Sequence, residues 1–255
     1  MNFGIKTSYD DIDKIIGKMK YVEIQMLEKD MKRLEKLSEK FSTMNIEFVI
    51  HPPFEIDGIH FDLCGKDRKN WIDRMKKIIK FADSINARYV IAHPAARTAY
   101  PADLESFKRN LIRSLEEIAS DNIILETMPW FYHVNGKKFF SNILLKPEDF
   151  YFFEDFAAGI CLDTCHTFLA TNPGSTKNVL NFIKELKSKI KHFHMVDAKS
   201  PDIEGLQIGR GEIDFPFVMK KIKNISAMAV PEIMDGHKNN GAEFYRALEI
   251  LKRML

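Results

Sequence analysis

Short β-favouring runs alternate with longer helical stretches along the whole of this chain, and no break in composition interrupts them. Phe3-Gly4-Ile5 precedes an amphipathic stretch from Asp10 to Lys18, and the run Tyr21 to Met26 precedes a charged helix from Lys29 to Phe41. Ile46 to Ile50 leads to a helical pattern over Trp71 to Ile85, and Arg88 to Ala92 leads to one over Ala102 to Ala119. Asn122 to Leu125 is followed by an aromatic loop and a short helix near Pro147. Ile160 to Leu162 is followed by a turn or helix from Thr167 and a helix over Ser175 to Ile190. His192 to Val196 precedes a helix over Phe215 to Ile222, and Ala227 to Val230 precedes one over Gly241 to Leu255. Strands alternating with helices imply a parallel sheet with right-handed crossovers. Eight such units fit a single (β/α)8 barrel over residues 1–255. A doubly wound open sheet is the alternative, but no Gly-rich dinucleotide loop follows the first strand. Gly209-Arg210-Gly211 is a lone G-x-G and a weak signal for a phosphate cradle.

The 255 residues suffice for one such core, since a chain of this size buries roughly 70–75% of its unfolded surface. A formal net charge of +2 gives no bulk argument for a nucleic-acid partner. Three cysteines argue against a disulfide framework, so Cys161 and Cys165 read as small buried residues in a reducing compartment. The amino-terminal residues form one short strand rather than a signal peptide, and no apolar run reaches the roughly 20 residues of a membrane span. The expectation is a cytoplasmic protein without a membrane partner.

The runs end on metal-binding residue types. His51, His93, Glu126, Asp163, His194 and Glu232 lie at or just beyond six of the eight strand ends. In a barrel those ends surround one mouth, where such enzymes keep their chemistry. Unpaired acids in one cavity repel and take up protons, a conflict that a divalent cation removes. Imidazole with carboxylate suits Zn²⁺ first, with Mn²⁺, Fe²⁺ or Mg²⁺ as alternatives. Each residue alone has a plainer reading, as a turn histidine before proline or a charge at a strand exit. His60, His133, His192 and His237 lack the placement and read as structural or loop residues.

Two stretches carry a resemblance. Gly159 to Phe168, with Asp163-Thr164-Cys165-His166 at its centre, resembles the central signature of the endonuclease IV family. His192 to Ser200 resembles a second signature of that family. Endonuclease IV belongs to the wider xylose isomerase-like barrel superfamily, whose sugar isomerases and epimerases hold one metal with a Glu, Asp, His, Glu set. Glu126, Asp163, His194 and Glu232 match that set. The resemblance implies that His51 and His93 match the first two family histidines and hold one metal with Glu126. Glu126 would then bridge to a second metal on Asp163, His194 and Glu232, and His166 would serve a third. The family's Asp-x-His pair before its Gly-x-Gly is missing here. Asp202 and Glu204 stand nearby, one residue out of register, and read first as an acidic turn and only second as oxygen ligands.

Two activities follow as expectations. One is hydrolysis of a phosphodiester at abasic sites in DNA. Two or three metals would clamp the attacking and leaving oxygens, with Glu126 bridging and Glu232 or Asp163 orienting the nucleophile. The other is isomerisation or epimerisation of a small sugar or sugar phosphate on one metal, with Glu126 and Glu232 as acid and base. The extra histidines favour hydrolysis, while the missing pair and the balanced charge favour the sugar. Arg97, Tyr100 and Lys199 are candidates to meet a phosphate. Trp130, in the aromatic run Met128 to His133, is a candidate to stack on substrate. Lys29, Lys32 and Arg33 lie where a duplex could pass, but a solvated helix face is their default reading.

Overall fold

The computed structural model describes residues 1–255 apart from Lys18, Ala95 and Asn135 and the side chain of Val134. Eight parallel strands form the barrel wall: β1 (Ile5–Ser8), β2 (Tyr21–Gln25), β3 (Glu47–His51), β4 (Tyr89–Ala92), β5 (Ile123–Glu126), β6 (Gly159–Asp163), β7 (Ile190–Met195) and β8 (Met228–Pro231). They pair in sequence order. The short strand Asn2–Phe3 pairs with β8, and only Gly4 separates it from β1, so the ring closes through residues 2–8. The (β/α)8 expectation is met, and the open doubly wound sheet is excluded.

The helices are α1 (Ile12–Ile15), α2 (Leu34–Ser42), α3 (Arg68–Ser84), α4 (Leu104–Ile118), α5 (Thr164–Leu169), α6 (Thr176–Leu186), α7 (Phe215–Ile222) and α8 (Lys238–Arg253). Side-chain caps set several starts. Asp103, Ser175 and Asp214 each accept a backbone N–H from the first turn of α4, α6 and α7. Elsewhere local chemistry shortens what periodicity suggests. The Lys29–Phe41 pattern is interrupted because buried Asp30 accepts Leu27 N and Arg33 Nε, winding Glu28–Lys32 into a 3-10 turn before α2. The Asp10–Lys18 stretch contains only the turn Tyr9–Asp11 and α1, and Lys18 lies outside the described residues. Ile190 opens β7, opposite Ile160, rather than closing α6. The aromatic run after Glu126 forms a hairpin, Phe131–Val134 with Lys137–Ser141, extended by Arg97–Thr98.

Inside the barrel, Tyr21, Val49, Ile91, Ile124, Cys161, Met228 and Val230 pack as one cluster. Strand side chains alternate faces, so the residue two positions farther along points into the same lumen. Applied to these positions, the rule aims Glu23, His51, His93, Glu126, Asp163 and Glu232 at the mouth. Among the described residues no helix is long and apolar enough to cross a membrane.

The loop after β7 turns on one acid. Asp197 is fully buried, and its carboxylate accepts N–H groups from Ala198 (2.9 Å), Gly209 (2.9 Å), Gly211 (2.9 Å) and Ile213 (3.2 Å). A Cβ at Gly211 would fall 2.4 Å from that carboxylate, so glycine is required there. Gly209-x-Gly211 is therefore not a phosphate cradle, because its amides are spent on Asp197. Asp197→Ala removes the shared acceptor of four backbone N–H groups, those of Ala198 and Ile213 in buried bonds, and is expected to cost about 3 kcal/mol. Thermal unfolding checks this, with a fall in Tm on the order of 10 °C anticipated.

Candidate metal centre

The six acids and imidazoles identified at strand ends converge at the carboxyl end of the barrel. Two groups of donor atoms each lie within 4.8 Å of one another: His51, His93 and Glu126, and Glu126, Asp163, His194 and Glu232. Glu126 belongs to both and divides its oxygens between them. Oε2 lies 3.0 Å from His93 Nε2 and 3.4 Å from His51 Nε2. Oε1 lies 3.2 Å from His194 Nδ1 and 3.2 Å from His166 Nδ1. The carboxylate is 1% exposed, so water does not offset its charge.

Hydrogen bonds orient the rings. His51 Nδ1 donates to the Pro52 carbonyl at 3.0 Å, and in the neutral ring this leaves Nε2 as a lone pair. That nitrogen is buried, faces Glu126 Oε2, and has no hydrogen-bond partner among the described residues. Two acceptors in contact call for a cation between or beside them. His93 is pushed down to about 4, burial outweighing the pull of Glu126, so its ring is also a neutral ligand.

Asp163 does two jobs. Its Oδ1 accepts the His166 amide at 2.6 Å and so caps α5, which begins at once after β6. Its Oδ2 is left 3.7 Å from His194 Nδ1. The same Nδ1 is 2.5 Å from Glu232 Oε2. His166 donates Nδ1 to the Thr127 carbonyl at 3.0 Å, beside Glu126.

Two residues were missed in the sequence. Glu23 is fully buried, and its Oε2 accepts from His194 Nε2 at 2.9 Å and His192 Nε2 at 2.7 Å. Lys6 Nζ lies 2.8 Å from Glu23 Oε1 and 2.5 Å from Glu232 Oε1. A charged residue inside each of two apolar runs was the available signal. With them, each of the eight strands supplies one residue, within it, at its end or directly after it. His192 is held from both sides, its Nε2 by Glu23 and its Nδ1 2.9 Å from Tyr21 Oη. Cys161, His192 and His194 also cluster, but both His192 nitrogens are engaged and burial pushes the Cys161 thiol up, so this is no third donor set.

The donors open into a cavity of about 700 Å³ lined by Lys6, Gln25, Phe54, Arg97, Tyr132, Glu204 and Met234 among others. Arg97 Nε, Tyr132 Oη and Glu204 Oε1 are buried there without hydrogen-bond partners among the described residues. Trp130 packs edge-on to Phe131 and Phe140 and does not line the cavity. Tyr100 and Lys199 are exposed and do not line it either. Asp202 pairs with His133 at 3.0 Å, away from the donors. Lys29 and Arg33 are held by Asp10.

The family described as xylose isomerase-like TIM barrel matches residues 16–254. An uncharacterized protein of Methanocaldococcus jannaschii is 24% identical over 245 residues, covering 92% of this chain and 93% of that protein. A probable endonuclease 4 of Mesoplasma florum is 26% identical over 227 residues, covering 79% of this chain and 72% of the relative. Among solved structures, a D-tagatose 3-epimerase-like protein superposes with a TM-score of 0.68 at 22% identity, covering 99% of both chains. Endonuclease IV from Thermus thermophilus superposes with a TM-score of 0.68 at 13% identity, covering 100% of both. The structural likenesses speak for the fold alone.

Proposed function

The chain belongs to the xylose isomerase-like TIM barrel family, and from that premise we propose that it is a divalent-metal-dependent hydrolase of phosphate esters, acting at abasic sites in DNA. The observation that carries this reading is Glu126, common to two donor sets and presenting one oxygen to each. A one-metal site has no use for the His51 and His93 pair. The donors suit zinc: imidazoles and carboxylates, with His51 Nε2 aimed at Glu126. His51, His93 and Glu126 would hold one ion, and Glu126, Asp163, His194 and Glu232 the other. Two such ions supply the positive charge that stabilises attacking and leaving oxygens in an in-line displacement.

The chain's own residues do the rest. Burial keeps His93 neutral and ready to bind. Glu23 fixes the ring of His194, the arrangement that orients metal-binding histidines. Arg97, whose Nε has no hydrogen-bond partner among the described residues of the cavity wall, can meet a phosphate oxygen. Charge favours two ions over one. Lys6 offsets Glu23, which leaves Glu126, Asp163 and Glu232 as three negative charges. With the His166 imidazolium beside them, one divalent ion leaves that centre neutral, whereas two leave it positive and suited to an anionic substrate.

The second reading, a one-metal sugar or sugar-phosphate isomerase, is favoured by one observation. Asp202 is tied to His133, which among the described residues leaves only His166 and Glu204 in the cavity for a third ion. Metal analysis after reconstitution with Zn²⁺, paired with incubation of abasic and intact duplexes, separates the two. Two ions per chain and incision of the abasic strand alone are expected. One ion, no incision and interconversion of a ketose would replace this reading with the second.

A further inference from the structure

We propose that the buried ion pair Lys6–Glu23 tunes the metal affinity of the centre from outside the donor sets, Lys6 holding Glu232 while its charge opposes the ion, and Glu23 orienting His194 while its charge favours the ion. The inference rests on the donor sets read above as metal ligands. Neither residue is a donor in those sets, yet each touches one that is.

Glu232 needs a tether. It lies just beyond β8, and its side chain is 26% exposed, against 2% or less for Asp163, His194 and Glu126. Unrestrained, it could turn either oxygen inward or swing toward solvent. Lys6 Nζ holds Oε1 at 2.5 Å, so Oε2 alone faces His194 Nδ1. His194 needs an orienter, because an imidazole can present either nitrogen. Glu23 Oε2 takes Nε2–H at 2.9 Å and turns Nδ1 toward Glu126, Asp163 and Glu232. Glu23 is itself held by His192, and His192 by Tyr21, so the orienter is rigid.

The two partners act on a bound cation with opposite signs. The Lys6 ammonium repels it, and the Glu23 carboxylate attracts it and raises the basicity of the His194 ring. A divalent ion beside Glu232 would stand within a few ångströms of Nζ, where like charges in a buried setting interact strongly. Loss of the tether works the other way but costs only the restriction of one side chain. Electrostatics therefore wins at Lys6.

The test is Co²⁺ affinity, measured by competition with a chromogenic chelator and by the visible ligand-field spectrum, in the full chain. Lys6→Met is expected to bind Co²⁺ at least ~10-fold more tightly at one of its sites. Glu23→Gln is expected to bind it roughly 10- to 100-fold more weakly. Lys6→Arg, which keeps charge and reach, should match the wild type. If Lys6→Met unfolds without metal, Lys6→Gln and the Arg variant still report the sign. Shifts in the same direction for Lys6→Met and Glu23→Gln mark an ordinary structural ion pair and overturn this proposal alone, as does no shift in either. Failure of the wild type to take up Co²⁺ overturns it together with the proposed function.

Discussion

Glu126→Ala is expected to release both ions and to lower phosphoesterase turnover by at least ~10³-fold, the loss of about 4 kcal/mol of transition-state stabilisation. The residue supplies Oε2 to the His51 and His93 set and Oε1 to the set containing Asp163, His194 and Glu232. No other side chain belongs to both sets among the described residues. Glu126→Gln should be nearly as damaging, since an amide nitrogen replaces one oxygen and cannot accept on that side. His93→Ala is the contrast, because it touches only the first set and should remove one ion while sparing the other. Metal content after dialysis against Zn²⁺, measured with incision of an abasic duplex, reads all three. Retention of two ions per chain by Glu126→Ala would show that the donor sets do not share this carboxylate.

The strand ends were legible because proline and chemistry mark them together. His51-Pro52, His93-Pro94 and Pro231-Glu232 each stop a ladder beside a metal-binding side chain. Glu126 and Asp163 stand out as acids closing apolar runs. Lys6 and Glu23 escaped for the opposite reason. Glu23 sits inside Tyr21–Gln25, flanked by Val22 and Ile24, and a charge within an apolar strand reads as noise until its partner is known. The partners lie far away in sequence: Lys6 meets Glu232, and Glu23 meets His194. The Gly209-x-Gly211 pair misled in the same way, because the anion that it serves is Asp197, 12 and 14 residues away. Trp130 looked like a stacking platform from its neighbours. The hairpin after β5 instead turns its ring onto Phe131 and Phe140. Local pattern thus carried the fold and the donor list, while the residues that orient the donors depended on long-range pairing.

Acid should separate the two ions. At the His194 set, Zn²⁺ affinity is expected to rise about tenfold per pH unit from pH 5 to pH 8, in total ~10³-fold, while His93 adds nothing to the slope at the other set. Burial disfavours the His194 imidazolium, but the carboxylates of Glu23, Glu232 and Glu126 outweigh it and hold the ring protonated well above the usual range. An ion entering there must expel that proton from Nδ1. One proton is released per ion, so the apparent Kd falls as pH rises, for as long as the metal-free ring stays charged. Glu126 and Glu232 add no slope. Burial opposes their charge, yet His194 and its neighbours keep both well below the usual carboxylate range. His93 is pushed down to about 4, so above pH 5 it gives up no proton to the first ion. His166 behaves differently again. Burial opposes its charge, but Asp163 and Glu126 push it up to about 10, so it keeps its proton across this range and competes with a third ion. Chelator competition at several pH values, resolving the two binding steps, measures the slopes. Affinity at the His194 step that stays flat or weakens as pH rises would sink this account of which ring carries the proton.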